Sequence, residues 1–199
     1  IVEAISTRLH KITGDSDLLN NLEWFRKRNE KQSNLEAPII RKPFFCSGCP
    51  HNSSLKVPEG KRALGGIGCH YMAVDSIEST EFFTQMGGEG TPWIGIAPFS
   101  HEKHVFANLG DGTYKHSGIL AIRASLDANV NITYKILYND AVAMTGGQEI
   151  GSNWDVEGIV KQVLAEGVKK VSILSEDPKR YNQLVNNEVK SLHRDAIIT

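Results

Sequence analysis

The residues best placed to do chemistry fall in two short strings. Gly110-Asp111-Gly112 closes one apolar run, and Tyr138-Asn139-Asp140-Ala141 closes the next, with Asn139 lying 28 residues after Asp111. Glycine at 110 and 112 lets the backbone come close to a ligand. A helix opening at this turn would offer free N–H groups and partial positive charge, which suits a diphosphate. Asp111 alone would repel that group. A divalent cation between them removes the conflict, because Mg²⁺ takes carboxylate and phosphate oxygens together. By itself Gly-Asp-Gly reads equally well as a tight surface turn. Asn139 changes the balance: one helix and one strand fill the interval, so both strand ends reach the same edge of a parallel sheet. The Asn139 amide oxygen and the Ala141 backbone carbonyl then supply further oxygens for the ion.

A second group of candidates is the thiols. Cys46 and Cys49 stand two apart in CSGCPHN, and Cys69 follows in GIGCHYM. Cys-x-x-Cys spacing suits an iron–sulfur cluster or zinc. His51 and His70 adjoin this set, so a mixed Cys/His zinc site is chemically open. Equally open is a role without metal, in which the cysteines shape turns. An odd count without a disulfide framework points to a reducing compartment, and so to the cytoplasm. His116 and Met144 are weaker candidates: His116 reads more readily as a core or surface residue, and Met144 either packs against a bound ligand's apolar parts or belongs to the core. Gly-x-Ser-x-Gly, P-loop and GxGxxG motifs are missing.

These residues need elements to carry them. ALGGIG (63–68), HVFANLG (104–110), ITYKILYN (132–139) and KKVSILSE (169–176) read as strands. SGILAIRASLDA (117–128), WDVEGIVKQVLAEG (154–167) and YNQLVNNEVKSLHRD (181–195) read as helices. Strands alternating with helices imply right-handed crossovers and an α/β fold, a parallel sheet with helices on both faces. Ligands of such sheets bind beyond the carboxyl ends of the strands, where each glycine-rich motif falls. The glycine-rich stretch 85–99 lacks either periodicity and reads as a loop bordering a substrate entrance. Residues 1–42 read as an N-terminal helical attachment, SDLLNNLEWFRKR, with a polar linker ending near Pro38. Residues 43–199 are then the domain proper.

Composition bounds the partners. Lys and Arg total 22 against 23 Asp and Glu, a formal net charge of −1, so nothing electrostatic favours nucleic acid or an anionic membrane. Hydrophobic residues at 40% are ordinary for a globular chain. No apolar run is long enough to span a bilayer. The start IVEAIS has neither Met nor a leader pattern, so the chain reads as a piece of a longer polypeptide, or else as a trimmed small protein.

The pairing GDG…(Y)ND resembles the diphosphate-binding motif of thiamine diphosphate enzymes. Tyr138 stands where an asparagine is common, but the ligating Asn139 is kept. MTGGQ, CSGCPHN and GIGCHYM are similar to the 2-oxoacid:ferredoxin oxidoreductases, and most of all to the indolepyruvate type in its long fused form. The resemblance implies a thiamine diphosphate-binding (diphosphate module) fold. It implies Mg²⁺ on Asp111, Asn139 and the Ala141 carbonyl. It places Gly68, Cys69, His70, Gly110, Asp111, Gly112, Thr113, Asn139, Ala141, Met144 and Thr145 around the cofactor. His51 reads either as a hydrogen-bond partner of the diphosphate or, equally, as a surface-loop histidine. It implies that Cys46, Cys49 and Cys69, with a fourth ligand from outside, hold a 4Fe-4S iron–sulfur cluster in the parent enzyme. The implied activity is oxidative decarboxylation of an aryl pyruvate such as indolepyruvate to an acyl-CoA. The implied partners are a pyrimidine-binding module, ferredoxin-type domains, ferredoxin, coenzyme A and a second copy of the chain. The activating glutamate is not assignable here, no catalytic residue is named, and the isolated chain is expected to be inactive. Alternatives are a domain of a non-oxidative thiamine decarboxylase and a non-catalytic zinc or phosphate-binding module.

Overall fold

A computed structural model describes residues 1–33, 44–75, 80–151 and 155–198. The chain divides into two compact units, Ile1–Lys42 and Pro43–Thr199.

The first unit contains α1 (Val2–Thr13) and α2 (Asp17–Ser33). The apolar spacing in 18–25 anticipates α2, but α1 is an addition. Gly14 ends α1 in the left-handed conformation (φ 72°), returning its N–H to the His10 carbonyl. Asp15 Oδ1 then receives the Asp17 N–H at the start of α2. An Arg26–Glu3 ion pair ties the two helices, and Leu22 is buried. The helix absorbs residues 29–33 of the expected linker; the rest of that linker, with Pro38 and Pro43, lies outside the described residues.

The second unit opens with a one-turn helix, α3 (His51–Ser54), and is built on a four-stranded parallel sheet. Its strands are β1 (Ala63–Gly65), β2 (Thr80–Phe83), β3 (Val105–Gly110) and β4 (Ile132–Leu137), in the order β2-β1-β3-β4. β2 was not foreseen. The chain steps outward from β1 to β2, then returns to the other side of β1 for β3 and β4. Strand order therefore reverses between β1 and β3, and their carboxyl ends, Gly65 and Gly110, flank the resulting crevice.

Register decides what each face carries. Val105 pairs with Ile132, Ala107 with Tyr134 and Leu109 with Ile136. This set faces α4 (Thr91–Ile96), α6 (Ile119–Asp127) and α7 (Val156–Ala165). Leu109, Tyr114, Ile122, Ile159 and Val163 form one buried cluster there, and Leu64, Trp93 and Val105 a second. Each large aliphatic so buried contributes roughly 1.5–3 kcal/mol. Trp93 adds a hydrogen bond, its indole N–H donating to the Asn131 carbonyl at 3.0 Å. The intervening residues of β3 and β4 face the opposite way. Leu137 packs there with Leu55 and Ala73, on α3's segment and on the 3-10 turn Cys69–Asp75. Helical segments thus cover both faces, as the α/β reading requires.

Three expectations are corrected. The stretch 85–99 is not all loop: Pro92 in the first turn of α4 and the buried Trp93 give it a packed helix. The expected strand at 169–176 forms, as β7 (Val171–Ser175), but in a separate parallel pair with β8 (Val189–His193). The hairpin β5 (Ala141–Val142) and β6 (Gln148–Glu149) makes a third small sheet. The helix expected over 181–195 is replaced by a 3-10 stretch, Pro178–Leu184, and by β8. Asn186 explains the break. Its Oδ1 accepts the N–H groups of Glu188 (2.7 Å) and Val189 (2.9 Å), closing a turn that competes with helix. Val189 is then fully buried against Val160 and Ile173. Among the described residues no helix is long and apolar enough to cross a membrane.

Replacing Asn186 by Ala should therefore lower stability by about 1 kcal/mol or more, measured by urea unfolding, with amide exchange rising first in β8.

Candidate functional site

The helix after β3 begins at α5 (Asp111–Thr113), widens through one π-type turn at Tyr114–Gly118 and continues as α6. Asp111, only 3% exposed, is its first residue. Its Oδ1 accepts the Gly112 N–H at 2.8 Å. Its Oδ2 accepts the N–H groups of Asn139 (2.8 Å) and Asp140 (2.7 Å), just past the end of β4. One carboxylate therefore clamps two adjacent strand ends. A carboxylate has about four acceptor positions, so three N–H donors leave it one for a cation. Asn139 turns its Oδ1 to the Ala141 N–H at 3.1 Å, which leaves a second lone pair on that oxygen. Asp140 between them takes the left-handed conformation, φ 56°, which Asp tolerates better than most residues. The oxygens expected to hold an ion thus sit at the loop tip that Asp111 fixes.

Gly110 and Gly112 differ in their surroundings. A Cβ at Gly110 would meet nothing within 4 Å, so this residue borders open space. A Cβ at Gly112 would touch Val142 at 3.4 Å and Ile150 at 3.7 Å, because the β5–β6 hairpin folds over the turn. MTGGQ is the tip of that hairpin. Gly146 and Gly147 both have positive φ, 123° and 77°, as the reversal demands. The Thr145 hydroxyl donates to Gln148 Oε1 at 2.7 Å, and Lys115 reaches the Ile150 carbonyl. Met144 is 56% exposed, so the core-packing alternative for it fails. Thr113 is buried behind the turn. His116 is exposed and bonds Ser117, away from any core.

The GIGC turn supplies the other wall. His70 is 1% exposed and accepts the Gly66 N–H on Nε2 at 3.1 Å. Burial holds its basicity down to about 4, so the ring is neutral at physiological pH. Gly65 and Gly68 pack against that ring: a Cβ at Gly68 would stand 2.7 Å from His70 Cε1. His51, on α3, is close enough to His70 and Asp111 to feel both charges, with burial lowering its basicity foremost. Its Nδ1 is buried without a hydrogen-bond partner. His51 thus lies within electrostatic range of His70 and Asp111, and its buried Nδ1 disfavours a plain surface role.

The cysteines are free thiols, Cys46 exposed and the others half-buried. Burial raises the Cys69 thiol, and the nearby Cys49 and Cys46 raise it further. Among the described residues, however, no three His, Cys, Asp or Glu side chains converge to hold a metal ion.

Two buried groups were missed from the sequence. Glu89 is fully buried: its Oε2 accepts the Gly87 N–H at 2.7 Å, and its Oε1 has no partner. Burial pushes its carboxyl up. A Cβ at Gly66 would lie 2.0 Å from that Oε1, so Gly66 is glycine because His70 and Glu89 close on it from two sides. A lone acid inside Gly-Gly-Glu-Gly was the available signal. Asn108, on β3, is also fully buried with both amide atoms unpartnered.

Comparison with known proteins places the chain in a family. Residues 66–181 match the family model described as thiamine pyrophosphate enzyme, C-terminal TPP binding domain. The chain is similar to the indolepyruvate oxidoreductase subunit IorA of Thermococcus kodakarensis, 27% identical over 170 residues, covering 75% of this chain and 26% of the relative. The corresponding subunit of Archaeoglobus fulgidus is 27% identical over 176 residues, 79% of this chain and 27% of the relative. The chain thus spans about a quarter of the length of the curated relatives it matches. In fold it resembles a solved 2-oxoglutarate:ferredoxin oxidoreductase from Magnetococcus marinus, with TM-score 0.55 and 21% identity, covering 76% of this chain and 63% of that one.

Two outcomes follow for the chain without ligand. Asp111→Ala removes the acceptor of three N–H groups and should cost about 2 kcal/mol in urea unfolding, with Asp111→Asn intermediate. His70, whose folded basicity is depressed, contributes stability that is full above pH 6.5 and is lost as pH falls toward 4. That loss should amount to roughly 3 kcal/mol, and His70→Gln should remove this part of the stability–pH curve.

Proposed function

We propose, from the premise that this chain belongs to the thiamine pyrophosphate enzymes through their C-terminal TPP binding domain, that it anchors the cofactor's diphosphate through Mg²⁺ in an oxidoreductase of 2-oxoacids. Indolepyruvate, or another aryl pyruvate, is the proposed substrate, a reading supported by the similarity to the indolepyruvate oxidoreductase subunits. One observation carries the proposal: the Asp111 carboxylate holds the Asn139–Ala141 loop against the end of β3 while keeping an acceptor position unused.

The residues present fit the group. Asp111, the Asn139 amide oxygen and the Ala141 carbonyl would hold Mg²⁺. Gly110 borders open space where a diphosphate needs room, and the unpartnered His51 Nδ1 lacks only a polar neighbour. Gly68, Cys69 and His70 would wall the thiamine, with His70 neutral and its ring fixed by Gly66. Thr113 backs the turn, while Met144 and Thr145, at the hairpin tip, would close over the cofactor. When bound, thiamine diphosphate supplies the carbon nucleophile and electron sink for loss of the substrate's carboxylate. This chain binds, orients and screens it from water.

For a 4Fe-4S cluster the fit is poorer. Cys46, Cys49 and Cys69 lie within electrostatic reach, but they do not converge, and the sequence contains no fourth cysteine. Electron removal toward ferredoxin, coenzyme A binding and the activating glutamate belong, in this reading, to ferredoxin-type domains, a pyrimidine-binding module and a second copy in the parent assembly. The free thiols accord with a cytoplasmic setting.

Titration calorimetry with thiamine diphosphate tests the reading. Saturable binding should require Mg²⁺ and disappear with a chelator. Asn139→Ala should weaken it at least tenfold, about 1.4 kcal/mol. Equal heats with and without chelator would sink the metal bridge. The isolated chain should show no indolepyruvate oxidation, followed by reduction of a dye acceptor.

A further inference from the structure

Lys135 stands in the middle of β4, on the face that packs against the Cys46–Lys56 segment. A charged residue within ITYKIL breaks the apolar run, and its placement shows why. The ammonium donates to the Ser54 carbonyl at 3.0 Å and to the Lys56 carbonyl at 2.7 Å, and lies 5.1 Å from the centre of the Phe106 ring. No carboxylate pairs with it among the described ion pairs. Burial brings its basicity down to about 8. A lysine placed so satisfies the carbonyl of the last residue of the one-turn helix α3 and one two residues beyond it, where no further helical turn supplies donors. The only buried apolar anchor of that stretch is Leu55, at 0% exposure against Leu137 and Ala73.

α3 starts at His51, whose unpartnered Nδ1 is buried and which lies within electrostatic range of Asp111, and it follows on the Cys46–Cys49 turn. The strand that ends in the Asn139 loop therefore also holds, three residues before that loop's first tyrosine, the segment that brings His51 to it.

We propose that Lys135 is a positioning residue: by bonding the Ser54 and Lys56 carbonyls it locks the Cys46–His51 segment to β4 and so sets His51 against the Asp111 site. The role rests on the cofactor reading above, but the lock itself does not. An apolar residue of the same length would fill the space without bonding the carbonyls, whereas arginine would keep donors for both.

Hydrogen exchange on the full chain separates these cases. In Lys135→Met, peptides covering 44–57 should exchange about tenfold faster, while peptides covering Val105–Gly110 keep their native rates. Thiamine diphosphate with Mg²⁺ should bind at least fivefold more weakly, and Lys135→Arg should recover most of both effects. Unchanged exchange in 44–57 would overturn the proposal. So would a uniform rise that includes β3, since Lys135 would then serve the fold as a whole. If the methionine variant does not fold, Lys135→Gln, one bond shorter with a donor retained, must show the same localised exchange or the proposal falls. Failure of the native chain to bind the cofactor would defeat the functional reading and leave the exchange result to judge the lock alone.

Discussion

The Asp111 carboxylate links the carboxyl ends of two neighbouring strands through three N–H groups, and most of the site depends on that link. Without it the N–H groups of Asn139 and Asp140 would lose their protein acceptor, and with it the tie that holds the left-handed Asp140 to the end of β3. Under the proposed function the same carboxylate would also hold a cation. The two duties need not compete, because three N–H donors leave one of its roughly four acceptor positions over. A ligand arriving there meets an acceptor already oriented, so little ordering remains to oppose binding.

The sheet makes this arrangement possible by its topology. Because strand order reverses between β1 and β3, no helix crosses the gap at their carboxyl ends. His70 comes to that gap from one direction and the Gly110–Gly112 turn from the other. His51 arrives from the segment on the second face, which has Leu55 and the Lys135 bonds for anchorage. The site is thus assembled from strand ends that the core of Leu109, Tyr114 and Ile122 keeps in register.

What the sequence made legible follows physical lines. Strands at 105–110 and 132–137 were readable because their apolar runs end in turn residues, and the spacing of Asp111 to Asn139 was readable because one crossover has a nearly fixed length. Residues whose role depends on a distant partner were hidden. Lys135 looks like a polar interruption until Ser54 and Lys56 are set beside it. Glu89 looks like a solvated acid until Gly66 closes on it. Asn186 hides a turn inside a stretch whose apolar spacing otherwise suits a helix, and β8 is stabilised by Val160 and Ile173, neither of them local. Met144 is the opposite case: its apolar side chain left core packing open beside a place at the cofactor, and a hairpin tip that holds it 56% exposed removes the first alternative.

Gly66, pressed between a histidine and a glutamate, governs how the end of β1 can vary. Burial disfavours the charged form on both sides, lowering the basicity of His70 and raising the Glu89 carboxyl. A Cβ at position 66 would stand 2.0 Å from Glu89 Oε1, so any side chain there must displace that carboxyl. The glycine, the histidine and the acid therefore form one packing unit, in which a change at one position must be answered at another.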